Sequence, residues 1–461
     1  MMNTEKIAVG LDIGTTKIVC AIGKLNEHAK IEILGVGQSK STGVQDGVVV
    51  NIVLTEKAIK EAVEEAEEQS GLKVHSVVAG IAGKHIRSLQ HSDYVTRTDK
   101  DEDVIEQGDI DDLIDNVHKL VMMPGEEIIH VLPQEYKIDG QTDIKHPIGM
   151  HGSRLEANLH LVVGQTSSIR NIGRSIKNAG LELKHITLEP LASASSTLAE
   201  EEKEAGVALI DIGGGTTDLA IFKDGIIRHT AVIPMGGKII TNDIKEGCEI
   251  IERQAELLKI KFGSTWPAEN SATEIITIPG LRGREPKEVS KNMLSQIIHA
   301  RVKEIIVAAH AQILGYGHEQ QNKRLIAGLV LTGGGSQLKH IKQLIEFETG
   351  MSTRIGYPNE HLANKTEKSL MSPMYATAIG LLLRGLETPD AQSMAIDPDA
   401  VPVKEETPEP IAVAPTEEAP AETEEEKKVP ESAPPTGPKG PNFLEKWFNN
   451  LKDFLNNDIE D

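Results

Sequence analysis

Apolar positions between Met1 and Gly385 alternate between short runs and longer segments with helical spacing. The short runs predict strands, and segments in which apolar residues recur every three or four positions predict helices. Predicted strands are Ile7–Val9, Ile18–Ile22, Ile31–Val36, Val48–Val53, Val74–Ala79, Gly206–Ile212, Leu219–Phe222 and Leu325–Leu331, and predicted helices are Glu56–Glu68, Ser290–Ile313 and Gln337–Thr349. This alternation predicts an α/β fold.

The segment from Leu386 to Pro441 has a different composition. It holds 12 of the chain's 22 prolines, with 14 acidic residues, four lysines and no aromatic residue. Such a segment buries too little apolar surface to offset the entropy that ordering would cost. We therefore expect a disordered acidic linker over 386–441.

Apolar residues return at helical spacing in the segment Asn442–Asn457. At about 100° per residue they fall within an arc of about 140°, and polar residues occupy the opposite side. The apolar face consists of Phe443, Leu444, Trp447, Phe448, Leu451, Phe454 and Leu455. An amphipathic helix at the end of a linker suits either a membrane surface or an apolar groove on another protein.

Composition and charge argue against several classes of protein. The net charge is −22 and aromatic residues make up 3%, so no nucleic-acid partner is expected. Cys20 and Cys248 lie far apart in the chain, which argues against a disulfide framework or a zinc site. No run of 18 apolar residues is present and the N-terminus lacks a signal-peptide pattern, so a cytosolic chain is expected.

An internal repeat is the strongest signal of function. The segment Leu11–Lys17 (LDIGTTK) is repeated as Ile210–Asp218 (IDIGGGTTD), and an apolar run follows each copy. Each copy predicts two strands joined by a tight glycine turn, with an aspartate near the end of the first strand. The duplication predicts two similar halves that close on one ligand.

The two turns carry groups that bind phosphate. Glycines let backbone N–H groups approach phosphate oxygens, threonine hydroxyls add donors, and lysine adds a positive charge. The expected phosphate contacts are Gly14, Thr15, Thr16 and Lys17 in the first turn, and Gly213, Gly214, Gly215, Thr216 and Thr217 in the second. Asp12 and Asp211 are expected to hold Mg²⁺ through water, because this ion keeps several water ligands.

A third glycine-rich turn follows the predicted strand that ends at Leu331. It consists of Gly333, Gly334, Gly335 and Ser336, and a predicted helix follows it. A helix N-terminus with close backbone approach suits a purine and its α-phosphate. Neither repeat is a P-loop or a Rossmann fingerprint, since a strand follows each turn. The three turns together predict ATP and Mg²⁺ as cofactors.

These motifs resemble the phosphate-1, phosphate-2 and adenosine motifs of the actin/Hsp70/sugar-kinase superfamily. The resemblance includes two connecting-helix motifs, Leu188–Ala194 and Tyr375–Gly380. It implies an α/β actin-like ATPase fold, in which two ribonuclease-H-like halves enclose a nucleotide cleft.

The same resemblance implies roles for three further residues. Glu189 would lie beside Mg²⁺ and the attacking water, with Asp12 and Asp211 orienting the water and the metal. The alternative for Glu189 is an acid that only favours the dipole at a helix start. Glu256 and Lys259 would contact the nucleoside, and their alternative is a surface ion pair at i, i+3.

The segment between the two halves resembles the FtsA family of bacterial cell division proteins. The motifs that carry this resemblance are Ala79–Ile86, Ile129–Gly140, His146–Glu156 and Pro234–Ile244. The resemblance implies subdomain 1A at 1–83 and 163–200, inserted subdomain 1C at 84–162, subdomain 2A at 201–243 and 314–385, and subdomain 2B at 244–313. The linker at 386–441 and the membrane-targeting helix at 442–457 follow.

Membership of this family would imply a function in division. Its members bind ATP, polymerise head-to-tail through subdomain 1C and bind the C-terminal peptide of FtsZ through subdomain 2B. Their tail helix anchors the filament to the inner face of the cytoplasmic membrane at the septum, where later division proteins are recruited. The resemblance implies weak or slow ATPase activity at most. Candidates for binding FtsZ carboxylates are Lys291, Arg301 and Lys303, which as helix-surface charges could instead be merely solvated.

The terminal helix departs from the family pattern in its charge. Lys446 and Lys452 are balanced by Glu445 and Asp453, whereas anchors in this family usually carry several basic residues. The apolar face, with Trp447, would then supply most of the membrane affinity.

Three alternatives remain within the superfamily. A small-molecule kinase needs a catalytic base, and no acid stands out for that role. An Hsp70-like chaperone needs a β-rich peptide-binding domain, but a linker and one helix follow Gly385. A pilus-assembly relative is disfavoured by the terminal helix.

Overall fold

The computed structural model describes residues 6–97, 104–271, 273–280, 284–363, 366–388 and 394–396. The strands are β1 (Ile7–Ile13), β2 (Lys17–Leu25), β3 (Ile31–Lys40), β4 (Val44–Gln45), β5 (Val48–Val49), β6 (Lys73–Val74), β7 (Ser76–Ile81), β8 (Arg87–Thr96), β9 (Glu126–Ile138), β10 (Gln141–Ile144), β11 (Arg154–Gln165), β12 (Glu182–Leu188), β13 (Val207–Ile212), β14 (Thr217–Lys223), β15 (Ile226–Ile233), β16 (Ile275–Ile278), β17 (Lys287–Ser290), β18 (Gly328–Thr332), β19 (Thr353–Ile355) and β20 (Ala395–Ile396). The helices are α1 (Ile52–Ser70), α2 (Gln107–His118), α3 (Thr166–Asn178), α4 (Glu189–Thr197), α5 (Glu200–Ala205), α6 (Gly237–Gly247), α7 (Glu252–Phe262), α8 (Lys291–Tyr316), α9 (Ile341–Thr349) and α10 (Ala376–Glu387).

The first half is built on a five-stranded sheet of order β12-β7-β1-β2-β3. Strands β1 and β2 form an antiparallel hairpin in which Ile13 lies opposite Ile18, and β7 and β12 add in parallel. Both central strands are apolar on both faces because helices cover each side. Glycines permit the close packing: Gly37 lies against α1 on one face, and Gly10 lies against α10 on the other.

The second half repeats this topology. Its sheet has the order β19-β18-β13-β14-β15, in which β13, β14 and β15 form an antiparallel meander and β18 and β19 add in parallel. The internal repeat in the sequence therefore corresponds to two sheets of the same strand order.

The predicted strand Val48–Val53 is only partly present. Its first two residues form β5, but α1 begins at Ile52, because the side chain of Asn51 caps the helix by accepting from the N–H of Leu54 at 3.0 Å.

Four strands and a helix are inserted between β7 and α3. Their sheet has the order β10-β9-β11-β8, and α2 packs on it through Leu113 and Val117, which join the core around Leu159 and Leu161. The long strands β9 and β11 pair along nearly their whole length, so this insert has a core of its own. We call residues 84–162 the inserted subdomain.

Helices α4 and α10 cross against each other at the centre of the molecule. A Cβ at Gly380 would lie 1.8 Å from the carbonyl oxygen of Ala192, so the crossing requires glycine. Helix α10 also buries Leu381 and Leu382 against the first sheet. The structure thus places α10 with the first half, which differs from the predicted assignment of 314–385 to subdomain 2A.

The chain stays in contact with the body beyond the predicted linker start at Leu386. Helix α10 continues to Glu387, and Met394 and Ala395 are buried. Strand β20 pairs antiparallel with β6. Three buried apolar residues, Leu386, Met394 and Ala395, therefore lie inside a segment whose average composition predicts a linker.

Helices α6, α7 and α8 and the hairpin β16–β17 follow the second half's meander. Their apolar residues form a core with one face of the second sheet. Among the described residues, no helix combines the length and apolarity needed to cross a lipid bilayer.

Candidate functional site

A cavity of about 420 Å³ opens between the two halves, where the β1–β2 and β13–β14 hairpin turns face each other. Predicted site residues that line it are Asp12, Gly14, Thr15, Thr16, Lys17, Glu189, Asp211, Gly213, Gly214, Gly215, Thr216, Glu256, Lys259, Gly333, Gly334 and Gly335. Residues far apart in the chain are thus brought to one cavity by the duplicated sheets.

The two hairpin turns are in close contact. A Cβ at Gly214 would lie 1.8 Å from Oγ1 of Thr16, and one at Gly215 would lie 2.4 Å from Oγ1 of Thr15. A side chain at Gly214 or Gly215 would therefore push the two turns apart. The glycines leave the backbone N–H groups of both turns accessible to a ligand between them.

Three buried carboxyl groups, those of Asp12, Asp211 and Asp218, surround this cavity together with the partly buried Glu189. Burial and the charge of Asp211 raise the pKa of Asp12 to about 6, although Lys17 opposes the shift. Burial and the neighbouring aspartates raise the pKa of Glu189 well above its ordinary range, and burial with Asp211 raises that of Asp218 to about 8. Without a cation Asp218 is largely protonated at neutral pH, because burial disfavours its charged form and Asp211 adds to the shift.

Asp211 is held by hydrogen bonds from both crossing helices. Ser193 on α4 donates to its Oδ2 at 2.7 Å, and Thr377 on α10 donates to the same oxygen at 3.3 Å. Burial still raises its pKa, although these two donors lower it in part. The helix crossing therefore sets the position of one of the predicted metal-binding carboxylates.

Lys17 projects from the start of β2 toward the carboxylates. Its Nζ donates to the carbonyl oxygen of Met374 at 2.9 Å and lies 4.0 Å from the ring centroid of Tyr375. Burial lowers its pKa to about 8, although Asp12 and Asp211 favour the charged form. A negatively charged ligand would restore the full charge of this ammonium group.

Glu256 and Lys259 form an ion pair of 2.8 Å on α7. Lys259 also donates to the carbonyl oxygen of Gly237 at 2.9 Å and to Oγ1 of Thr241 at 2.8 Å, and Thr241 donates to Glu256. The pair is thus fixed to α6 at the wall of the cavity rather than standing free on a surface.

Two residues predicted to bind the nucleotide, Thr217 and Ser336, are not among those that line the cavity. The hydroxyl of Thr217 donates to the carbonyl oxygen of Met235 at 2.7 Å, and that of Ser336 donates to Gly333 at 2.7 Å. Both hydroxyls hold the backbone of neighbouring turns, so these residues support the site without lining it.

Several lining residues were not predicted. They are Ile13, Gly47, Asp218, Gly237, Ile240, Ile260, Gly263, Gln337, Leu338, Lys339, Pro373, Met374 and Thr377. The most consequential of them is Asp218, which lies directly opposite Asp211 in the register of β13 and β14.

No three Asp, Glu, His or Cys side chains within the described part of the chain are grouped closely enough to hold a metal ion directly. The four carboxylates can still accept hydrogen bonds from the water ligands of a cation such as Mg²⁺.

The three candidate cations for FtsZ binding lie on α8, and each already has an acidic partner. Lys291 pairs with Glu274 at 2.5 Å and Lys303 pairs with Glu348 at 3.1 Å. Arg301 binds Asp243 through two nitrogens, at 2.6 and 3.1 Å. The seven candidate membrane residues, Phe443 to Leu455, lie outside the described residues.

Removing the charge of Asp218 is expected to change the pH dependence of stability. Because its pKa in the folded protein is about 8 and its ordinary value 3.8, the folded state holds a proton that the unfolded chain releases. The free energy of unfolding of the metal-free protein therefore falls as the pH rises from about 4 to about 8. We expect Asp218→Asn to match the parent near pH 4 and to exceed it by more than about 1 kcal/mol above pH 8.

Urea unfolding in EDTA from pH 4 to pH 9 measures this difference. The control is Asp112→Asn, which removes an exposed carboxylate on α2 and should leave the pH profile parallel to that of the parent. A parallel profile for Asp218→Asn would contradict the assignment.

The chain is similar to known proteins in sequence and fold. The family model for the cell division protein FtsA matches residues 208–380, and that for the SHS2 domain inserted in FtsA matches residues 83–163. FtsA of Pseudomonas aeruginosa is 38% identical over 86% of this chain and 93% of its own length. FtsA of Escherichia coli K12 is 31% identical over 83% of this chain and 91% of its own length. A chain of the PilM–PilN type IV pilus biogenesis complex superposes with a TM-score of 0.60 at 16% identity, over 83% of this chain and 99% of that one.

The duplicated sheets and this structural similarity define an actin-like fold, which confirms the predicted fold class. Because relatives more than 30% identical match over most of its length, the chain belongs to the FtsA family of cell division proteins.

Proposed function

We propose that this protein binds ATP with Mg²⁺ in the cavity and links FtsZ filaments to the inner face of the cytoplasmic membrane at the division septum. In this role it polymerises head-to-tail with further copies of itself and recruits later division proteins. The observation that carries the nucleotide part is the pair of glycine hairpins facing each other above buried carboxylates. Membership of the FtsA family supports the division part.

The hairpins suit a triphosphate. Their turns offer backbone N–H groups, the hydroxyls of Thr15 and Thr16, and the ammonium group of Lys17. These are the donors that phosphate oxygens prefer. A cavity of about 420 Å³ is within the range of small-molecule sites, and the wall formed by α7 and Gly333–Gly335 would receive the nucleoside.

The carboxylates suit a hydrated cation. Oδ1 of Asp218 is buried and has no hydrogen-bond partner among the atoms described, so a water ligand of a cation would satisfy it. Bound Mg²⁺ would supply positive charge to the phosphate oxygens. Asp12, Asp211 and Asp218 would accept from the water ligands of the ion, and Glu189 would orient a water molecule beside the terminal phosphate. Since Asp218 is largely protonated at neutral pH without a cation, binding should release its proton.

The terminal helix would provide the membrane anchor. At helical spacing the seven apolar side chains of 442–457 would share one face, and the four charged residues of this segment sum to zero. Burial of that face would drive binding, while attraction to anionic lipid would contribute little. Binding is therefore expected to change little with salt.

FtsZ is proposed to bind through the region of α8. For Lys291, Arg301 and Lys303 to receive the carboxylates of an FtsZ peptide, each would have to exchange its present acidic partner for the peptide. The exchange would replace one ion pair by another, so it predicts modest affinity.

Co-sedimentation with liposomes and Mg-ATP tests the proposal. The full chain should pellet with lipid as filaments, and a chain truncated before Asn442 should stay in the supernatant. Phe448→Glu should abolish pelleting, because it places a charge on the apolar face. Asn449→Glu introduces the same charge on the polar face and should pellet like the parent.

Equal sedimentation of the full and truncated chains would contradict the membrane anchor. A steep loss of pelleting between low and high salt would contradict the apolar mode of binding.

A further inference from the structure

The inserted subdomain is hydrogen-bonded to the second half of the molecule, although it is covalently connected to the first. Ser88 on β8 contacts Thr230 on β15: the two hydroxyl oxygens are 2.6 Å apart, and Ser88 Oγ donates to the Thr230 carbonyl at 2.9 Å. Nε2 of His160 on β11 lies 3.0 Å from the same threonine hydroxyl. We call Ser88, His160 and Thr230 the distal joint.

The hydrogen bonds of the distal joint form one consistent chain. The side-chain amide of Gln90 lies 3.2 Å from Nδ1 of His160. If Gln90 donates there, Nε2–H of His160 donates to Thr230, and the Thr230 hydroxyl donates to Ser88. Burial lowers the pKa of His160 to about 4, so the ring is neutral and can fill both roles. The His160 side chain has no exposed surface, which makes these bonds costly to break.

A second set of contacts extends the joint along β15. The side chain of Gln134 donates to the carbonyl oxygens of Ile227 at 2.7 Å and Arg228 at 3.1 Å. Glu135 pairs with Arg228 at 2.6 Å. Three strands of the inserted subdomain therefore contact a single edge strand of the second half.

The inserted subdomain also contacts the first half close to the cavity. Nε2 of His130 on β9 accepts from the N–H of Leu188 at 3.0 Å, and Leu188 immediately precedes Glu189. Burial lowers the pKa of His130 to about 4, which keeps this ring nitrogen available as an acceptor. We call this contact the proximal joint.

Contacts connect the distal joint to the second hairpin, and contacts at the entry to the inserted subdomain connect it to the first hairpin. Thr230 lies opposite Ala220 on β14, the strand that begins with Thr217 and Asp218. At the entry to the inserted subdomain, Gly83 packs against Gly47, since a Cβ on Gly47 would lie 2.7 Å from Cα of Gly83. The N–H of Gly47 donates to Oγ1 of Thr15 at 3.0 Å.

From these contacts we infer that the position of the inserted subdomain depends on the angle between the two halves. It therefore depends also on whether a ligand occupies the cavity. A rotation that opens the cavity between the two halves has to strain or break the distal joint, because the proximal joint holds the inserted subdomain to the first half. Ligand-dependent closure of the cavity is thereby coupled to the position of this subdomain. This inference rests on the proposed binding of ATP in the cavity.

Hydrogen exchange of the full chain with and without Mg-ATP tests the coupling. In the parent, nucleotide should slow backbone exchange in both hairpin turns and also in Arg87–Thr96 and Ile226–Ile233. Ser88→Ala should keep the effect in the hairpin turns and lose it in β8. Ser92→Ala is the matched control: Ser92 lies on the same strand and donates to Asn158 within the inserted subdomain, so it should behave like the parent.

The outcomes separate the two proposals. If nucleotide slows exchange in the hairpin turns but not in β8 or β15 of the parent, the coupling is refuted and ATP binding stands. If nucleotide changes exchange nowhere, both are refuted. If Ser88→Ala and Ser92→Ala respond identically, the distal joint does not carry the coupling.

A reversible cross-link gives an independent measurement. Ser88→Cys combined with Thr230→Cys should form a disulfide that fixes the distal joint, and Cys20 and Cys248 are buried and should not interfere. Oxidation should slow release of a fluorescent ATP analogue by about fivefold or more, and reduction should restore the rate. Ser92→Cys with Asn158→Cys, which links two strands inside the inserted subdomain, should leave it unchanged. Equal release from the oxidised and reduced forms of Ser88→Cys/Thr230→Cys would overturn the inference.

Discussion

Replacing Lys17 with methionine is expected to weaken ATP binding by about 10- to 100-fold, the effect of losing one hydrogen bond to a charged group in a buried site. The ammonium group lies among buried carboxyls and donates to Met374, and its pKa of about 8 allows a triphosphate to hold it fully charged. Methionine keeps an unbranched side chain beside Tyr375 but provides no charge or donor. Calorimetric titration with Mg-ATP measures the loss.

Lys40→Met is the matched control for this substitution. Lys40 lies directly opposite Lys17 in the β2–β3 pair and is exposed, so the same change of charge occurs one strand away from the cavity. We expect this variant to bind ATP like the parent. Equal affinity of the Lys17→Met variant and the parent would show that the ammonium group does not contact phosphate.

The sequence contains most of the phosphate-binding part of the site, because that part lies within two local repeats. Asp12 and Asp211 are the second-last residues of corresponding strands, and the glycine turns follow those strands. The repeat also indicates one further site residue. Asp218 in the second hairpin corresponds to Val19 in the first. An acid that replaces an apolar residue at a buried strand position indicates a polar function on that face.

Contacts between distant segments could not be predicted in the same way. Lys17 donates to Met374, which lies 357 positions later in the chain. No local sequence pattern indicates Met374 as its partner. The acidic partners of Arg301 and Lys303, Asp243 and Glu348, likewise come from other helices. Spacing on α8 shows that these cations share a helix but not that each is already paired.

Side-chain direction explains the remaining differences at the site. Thr217 follows the second glycine turn and Thr16 lies within the first, so residue type and proximity to a turn do not distinguish the two threonines. However, the hydroxyl of Thr217, at the start of β14, donates to the carbonyl oxygen of Met235, whereas Thr16 lines the cavity and its hydroxyl lies against Gly214. A pattern of residue types does not distinguish these orientations.

Replacing Gly380 with alanine is expected to destabilise the protein by about 3 kcal/mol or more, because overpacking against rigid backbone is among the most costly core changes. The added methyl group would lie 1.8 Å from the carbonyl oxygen of Ala192 and 2.3 Å from its carbonyl carbon. Helices α4 and α10 would have to separate, and they carry Ser193 and Thr377, the two donors that hold Asp211. ATP affinity should therefore fall together with the free energy of unfolding.

Gly173→Ala tests whether the effect is specific to the helix crossing. Gly173 lies inside α3, and a Cβ there would meet one atom, Cδ2 of Leu183, at an ordinary 3.8 Å. Alanine has the higher helix propensity, so this variant should gain about 0.5–1 kcal/mol in the free energy of unfolding. Urea unfolding of both variants, with ATP titration of the folded fraction, separates the two contributions. If both substitutions shift stability alike, helix propensity rather than the α4–α10 crossing determines the outcome, and the crossing does not position Asp211.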